Sequence, residues 1–114
     1  MRKLLVLTVL AAAGGALAVF AASAPSATRV KVGDNYFVRS SGVPTVTVSK
    51  GTRVRWVWTG NDLHNVKVKR GPVKFASSSK MSGNYSKRLR RRGTYTIVCT
   101  VHGGRDQKMK LIVN

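Results

Sequence analysis

This 114-residue chain predicts an all-β fold, an antiparallel Greek-key β-sandwich of seven to eight strands. Three observations predict it. Short stretches alternate apolar and polar residues with a period of two, which marks strands with one buried face. Clusters of Gly, Asn, Asp and Ser punctuate them at close intervals, and those residues make turns. No stretch of the domain keeps a helical period over a useful length. The length suits one domain, and a hydrophobic fraction of 43% is that of a globular chain rather than a disordered one.

From the N-terminus, residues 1–27 read as an address rather than as part of the fold. Met1-Arg2-Lys3 is charged, Leu4 to Ala22 is uncharged and rich in Leu, Val and Ala, and small residues dominate Ala21 to Ala27. Those are the three parts of a secretory signal peptide, so the protein is expected to be exported, to a periplasm, the cell surface or the medium. Ala22-Ser23-Ala24 has the small-x-small form of a cleavage site. The apolar run is also just long enough to remain as an uncleaved membrane anchor. The only cysteine lies far downstream, which excludes a lipoprotein.

Residues 28–114 form the domain. Its alternating stretches are Val30 and Val32, Val46 and Val48, Val54, Trp56 and Trp58, Val66 and Val68, Tyr95 and Ile97, then Met109, Leu111 and Val113. The breaks fall at Gly33-Asp34-Asn35, Ser40-Ser41-Gly42, Lys50-Gly51, Gly60-Asn61-Asp62, Arg70-Gly71-Pro72 and Gly93. Gly71 to Asn84 reads as a long loop. Seven or eight short strands at this spacing make a sandwich.

Charge comes next, with 21 Lys+Arg against 3 Asp+Glu and a formal net charge of +18. Most of the cations occupy the outward phase of strands, where they also discourage edge-to-edge pairing. The densest run, Lys87-Arg88-Leu89-Arg90-Arg91-Arg92, invites a nucleic-acid reading. An exported chain with 7% aromatic residues and both tryptophans in an inward phase argues against it, so no nucleic-acid partner is expected. A field of this sign draws in acidic proteins and suits an anionic cell surface.

Site chemistry must come from a short list. One cysteine excludes an intramolecular disulfide and any structural zinc site that needs several. What remains is Cys99, His64, His102 and three aspartates, Asp34, Asp62 and Asp106. His64 shares strand phase with Val66 and Val68, and Cys99 shares it with Tyr95 and Ile97, so both face inward at strand ends. Three chemistries can use a Cys-His-His set. A thiolate with two imidazoles and a weak axial ligand makes a type 1 copper site. The same set with water could hold zinc. A Cys-His pair could also be a nucleophile and its base, although the two-residue spacing of Cys99-Thr100-Val101-His102 suits a shared metal better. The bland alternative is a buried free thiol with two incidental histidines, and His64 falling in phase counts against it.

These pieces resemble the cupredoxins, small blue-copper proteins of the plastocyanin/azurin type, over about Val30 to Asn114. The resemblance rests on Val46-Thr47-Val48-Ser49-Lys50-Gly51-Thr52-Arg53-Val54-Arg55-Trp56, on Asp62-Leu63-His64-Asn65-Val66, and on Gly93-Thr94-Tyr95 leading to Cys99-Thr100-Val101-His102. It implies a cupredoxin-like sandwich with one type 1 copper held equatorially by His64, Cys99 and His102. It also implies that the backbone amide of Asn65 hydrogen-bonds the cysteine sulfur. Where plastocyanin-like sequences carry an axial methionine, five residues after the second histidine, this chain has Gln107, as in the stellacyanin branch. Met109 is the alternative, with core packing as its other role.

The aromatic residue that precedes the cysteine in plastocyanin is Val98 here, on a basic rather than acidic surface, so that electron route does not carry over. Electron entry is expected at the edge of His102, beside Gly103 and Gly104, with Val43 and Pro44 nearby. The resemblance implies a monomeric electron-transfer protein that cycles Cu(II)/Cu(I) with an acidic redox partner and is no enzyme. The alternatives are a copper carrier or chaperone without a redox partner and, behind it, a Cys99-dependent enzyme.

Overall fold

The computed structural model describes residues 26–101 and 105–114. Eight strands carry the chain: β1 (Ala27–Gly33), β2 (Tyr36–Phe37), β3 (Thr45–Val48), β4 (Arg53–Trp58), β5 (Lys67–Arg70), β6 (Asn84–Arg88), β7 (Gly93–Val98) and β8 (Lys108–Val113). They form two four-stranded sheets, in the orders β2-β1-β4-β6 and β3-β8-β7-β5. The all-β sandwich is the one the alternation predicts. Its sheets, however, are mixed rather than wholly antiparallel. β1 runs parallel to β4, with Val30 opposite Trp56, and β3 runs parallel to β8, with Val46 opposite Leu111. Period-two patterning reports which face is buried and says nothing of a neighbour's direction. Here β1 and β4 are separated by an excursion through β3 in the other sheet, and such a crossover permits parallel pairing.

The inward residues are those expected. Val30, Val32, Val54, Trp56, Val68, Tyr95, Ile97, Met109, Leu111 and Val113, drawn from both sheets, are all buried in one cluster. Trp56 lies at its centre, fully buried, with the rings of Phe75 and Tyr85 each 5.9 Å from its own.

Two strands carry no alternation strong enough to announce them. β2 has two residues. β6 lies across the end of the predicted loop and the start of the basic run, with Tyr85 set against Trp56 in β4. The rest of the predicted loop is partly ordered against the outer edge of β5. Val68 N–H donates to Phe75 O, Ser77 N–H donates to Val66 O, and Lys67 bridges to Ala76. That cover protects an edge that would otherwise be open.

The tight turn at Lys50-Gly51 needs its glycine, whose φ of 94° lies in the left-handed region. Gly51 N–H donates to Leu89 O there, and Arg88 donates to Gly51 O. Arg90, Arg91 and Arg92 therefore cluster at this end, where β6 finishes and β7 begins. The opposite end holds the site.

Trp56 tests how far the core depends on one ring. Its Nε1–H has no hydrogen-bond partner among the described residues, so packing is what it contributes. Trp56→Ala is expected to cost about 3–5 kcal/mol in urea unfolding. Trp56→Phe should cost distinctly less, because most of the ring burial survives and an unpaired buried donor is removed.

Candidate metal centre

Four segments converge where β1, β4 and β7 end and β5 and β8 begin. They are the β1–β2 turn with Asp34, the β4–β5 connection with His64 and Asn65, Cys99 just past β7, and Gln107 just before β8. His64, Cys99 and Gln107 are each no more than 2% exposed. The inward phase expected for His64 and Cys99 is observed, and Gln107 is buried beside them.

His64 is fixed by backbone and side chain together. Its N–H donates to Lys80 O and its carbonyl accepts from Lys80 N–H, both at 3.0 Å. The same carbonyl accepts from Trp58 Nε1 at 3.2 Å. Its Nε2 lies 2.8 Å from Asp34 Oδ1. A carboxylate can only accept, so the imidazole proton belongs on Nε2 and the lone pair on Nδ1. Nδ1 is the nitrogen turned toward the thiol, 3.8 Å from Cys99 Sγ.

Asp34 does more than orient that ring. Asn61 N–H donates to both its carboxylate oxygens and Asp62 N–H to Oδ1, each at 3.0 Å. The hydrogen bond from His64, then those from Asn61 and Asp62, hold its carboxyl down to about 2, from an ordinary 3.8. A Cβ on Gly60 would collide with the Asp34 carboxylate, so only glycine allows this approach.

Cys99 is held by Asn65. Asn65 N–H donates to Sγ at 3.5 Å, the backbone contact the resemblance implies. The asparagine side chain then clasps the next residue, with Nδ2 donating to Thr100 Oγ1 at 2.9 Å and Oδ1 accepting from Thr100 N–H at 2.7 Å. Cys99 N–H donates to Gln107 O at 3.1 Å, which ties thiol and glutamine into one loop.

Gln107 spends both amide protons on backbone carbonyls, donating to Gly33 O at 3.0 Å and Tyr36 O at 2.9 Å. Its Oε1 is buried with no hydrogen-bond partner among the described residues. An unpaired buried oxygen costs about 1–3 kcal/mol, and a cation would relieve it. Met109 is also fully buried, among the apolar core residues of β8. His102, Gly103 and Gly104, expected to supply the second imidazole and the electron entry, lie outside the described residues. Among the described residues no three His, Cys, Asp or Glu side chains form a metal-holding group; Cys99 and His64 stand as a pair.

The pair fits copper. Donors at about 2.3 Å (S) and about 2.0 Å (N) from one ion, roughly 120° apart, would be separated by about 3.7 Å. The observed separation matches that span and exceeds a good hydrogen bond. Two signals escaped sequence reading. Asp34 sits thirty positions before His64 with no motif around it, and the Asn65–Thr100 clasp depends on side chains from two separate loops.

The profile of the copper-binding plastocyanin/azurin family matches residues 24–114. No curated protein matches the chain. Among solved structures, a mutant of oxidized amicyanin is 25% identical, with a TM-score of 0.62, covering 77% of this chain and 82% of its own. A mutant of amicyanin in the Cu(I) state is 24% identical, with a TM-score of 0.64, over 78% of this chain and 83% of its own. The Cu-containing nitrite reductase from Thermus scotoductus is 20% identical, with a TM-score of 0.64, over 80% of this chain but only 23% of its own.

The Asp34 contacts set a pH dependence for the metal-free protein. Its carboxyl titrates lower folded than unfolded, so its stabilising contribution is complete above about 4 and is lost as pH falls through about 2. Urea midpoints of wild type and Asp34→Asn, compared between pH 5 and pH 2, should therefore converge as the medium becomes acidic. A gap that widens toward pH 2 would contradict the assigned contacts.

Proposed function

The chain belongs to the plastocyanin/azurin family of copper-binding proteins, and on that premise we propose that it is an exported carrier of single electrons with an acidic redox partner. The observation that carries the reading is the buried pair of Cys99 Sγ and His64 Nδ1, 3.8 Å apart, with Asn65 N–H on the sulfur. His64 through Nδ1 and Cys99 as thiolate would hold the copper. His102, by its Cys-x-x-His spacing, and Gln107, through Oε1 as a weak donor, would join them. When bound, copper supplies a one-electron Cu(II)/Cu(I) couple.

The protein's own part is rigidity. Asp34 holds the His64 ring, Asn65 and Thr100 lock the Cys99 loop, and Gly33 and Tyr36 carbonyls fix the Gln107 amide. Donors fixed in this way change position little between oxidation states, which suits electron exchange. Their burial leaves His64 and Cys99 no open face for a substrate, which favours a carrier over a thiol enzyme. A copper chaperone would want an open, yielding site, and the same burial speaks against it. Met109, packed among Leu111 and Val113, is better read as core than as ligand. Of the leader expected in residues 1–27, residues 1–25 lie outside the described residues, and export rests on its composition. An acidic partner, and secondarily an anionic cell surface, rests on the +18 charge.

Two measurements test the reading. The Cu(II) protein should be intensely blue from thiolate-to-copper charge transfer, and Cys99→Ser should bleach it; a colourless wild-type complex would sink the proposal. Gln107→Met should raise the reduction potential, because a thioether favours Cu(I) more than an amide oxygen does. Met109→Leu should leave potential and spectrum alone and cost less than about 1.5 kcal/mol of stability. The reverse result would reassign the axial ligand.

A further inference from the structure

The run Lys87 to Arg92 is the densest charge in the chain, and the metal centre makes no use of it. It carries the chain from β6 into β7 at the end of the sandwich away from His64 and Cys99. The same end collects Lys50 and Arg53. Gly51 N–H donates to Leu89 O, Leu89 N–H donates to Thr52 O, and Arg53 lies opposite Arg88 across β4 and β6. Lys50, Arg53, Arg90, Arg91 and Arg92 are all exposed. Lys87, Arg88, Arg90 and Arg91 line a depression of ≈ 140 Å³ beside them.

No acidic side chain offsets this charge locally. The acids of the chain are Asp34, Asp62 and Asp106, all in loops at the metal end. Among the described residues the only ion pair joins Asp34 to His64. The sandwich therefore holds its acids at one end of the strands and an uncompensated cluster of cations at the other.

An independent observation lies in the path of the chain. β1 runs parallel to β4, Ala27 stands opposite Arg53, and Arg53 N–H donates to Ser26 O. The chain that precedes Ser26 thus joins the domain at the cationic end. Its apolar run, Leu4 to Ala22, is the expected leader or anchor. Ser26 lies four residues beyond Ala22, a reach of at most about 14 Å. While that run lies in a bilayer, the basic end is held close to the headgroups.

We propose that this end, built on Arg90, Arg91 and Arg92 with Lys50, Arg53 and Arg88, seats the domain on an anionic phospholipid bilayer. Most of these cations are arginines, whose planar forks pair with phosphate oxygens two at a time. Each cation brought to such a surface adds about fivefold in affinity. The attraction fades over about 8 Å at physiological salt, so the end cations feel it and those spread along the sheet faces are screened. That difference fixes which way the domain stands. β4, six residues long at about 3.3 Å each, sets the metal end about 20 Å from the headgroups, open to a soluble partner. The inference rests on the export reading and not on copper.

The full chain is kept in ascorbate, so that any copper is diamagnetic Cu(I). It is reconstituted through its apolar run into nanodiscs of phosphatidylcholine with or without phosphatidylglycerol. The discs carry a gadolinium-chelate headgroup lipid, and amide relaxation is mapped by NMR. With phosphatidylglycerol, relaxation at Gly51, Leu89 and Arg90 to Arg92 is expected to exceed that at Leu63 and Asn65 at least about fivefold. That contrast should fall at least about threefold in phosphatidylcholine alone, and again in high salt. Arg90→Gln, Arg91→Gln and Arg92→Gln together should abolish the lipid dependence. Lys67→Gln, Lys69→Gln and Lys110→Gln, which remove the same charge from exposed sheet positions, should preserve it.

Equal contrast in both kinds of disc, equal loss from the two triple variants, or a map centred on a sheet face would overturn the proposal. So would a soluble glutamate decapeptide that lifts this end off the phosphatidylglycerol disc at matched charge, which would assign it to an acidic protein. The map reads the seat alone. Its failure leaves export and the blue colour untouched, and a chain found in the cytoplasm leaves the map unchanged.

Discussion

The two-residue turn at Asp34-Asn35 is the constraint from which the site is organised. Asp34 accepts the Nε2 proton of His64 and so decides which imidazole nitrogen faces Cys99. The carbonyls on either side of the turn, Gly33 O and Tyr36 O, take both amide protons of Gln107 and so decide which way its oxygen is left. Asn35 makes the turn possible by adopting a φ of 70°, a left-handed conformation that asparagine tolerates. One tight connection in one sheet thereby orients donors that arrive from β4–β5 and β7–β8. The dependence runs outward as well. Asp34 also gathers the Asn61 and Asp62 amides, so the loop leading to His64 is shaped around the same carboxylate.

Much of this was legible in the sequence, and the reason is period. Val54, Trp56 and Trp58, or Met109, Leu111 and Val113, declare their face because a strand returns to the same side every second residue. Extending that phase past a strand end also puts Cys99 and His64 inside. What phase cannot carry is pairing. Nothing in Ala27 to Gly33 says that its neighbour is β4 and parallel, because that follows from an excursion through the other sheet. β6 was hidden for a different reason. Its inward Tyr85 is surrounded by Asn, Ser, Lys and Arg, so its burial comes from the neighbours Trp56 and Phe75 rather than from its own composition. Asp34 was on the short list of acids, but its role depends on the fold bringing the β1–β2 turn against the β4–β5 loop.

The high positive charge is compatible with so small a fold because of where the strands put it. Outward positions hold the cations at the water interface, and the Nζ groups of Lys31, Lys80 and Lys87 lie over the rings of Tyr36, Trp58 and Phe75, 5.4–5.7 Å from their centroids. Self-repulsion is spread over two faces and one end rather than concentrated. The three aspartates are not distributed in the same way. Asp34 and Asp62 are both at the metal end, and Asp34 is used there to brace a histidine. The third, Asp106, precedes Gln107 in the β7–β8 connection, so all three acids lie in loops at that end and the sheet faces keep an unopposed sign.

Glutamine at position 107 has to satisfy two demands at once, and they are coupled. The turn requires two donors on one planar group, one for Gly33 O and one for Tyr36 O, and the NH₂ of an amide provides both. Because the group is planar, meeting that demand turns the oxygen to the opposite side, where it is buried and unpaired among the described residues. A thioether could offer a metal its sulfur but would leave both carbonyls one donor poorer and release the turn from the β8 side. A carboxylate would oppose those carbonyls with like partial charge. The residue that stitches the β1–β2 turn to β8 is thus the residue that presents a hard, weak donor, and the same turn holds Asp34 against His64. Any change at position 107 therefore acts on the His64 imidazole as well as on the buried amide oxygen, through a turn of two residues.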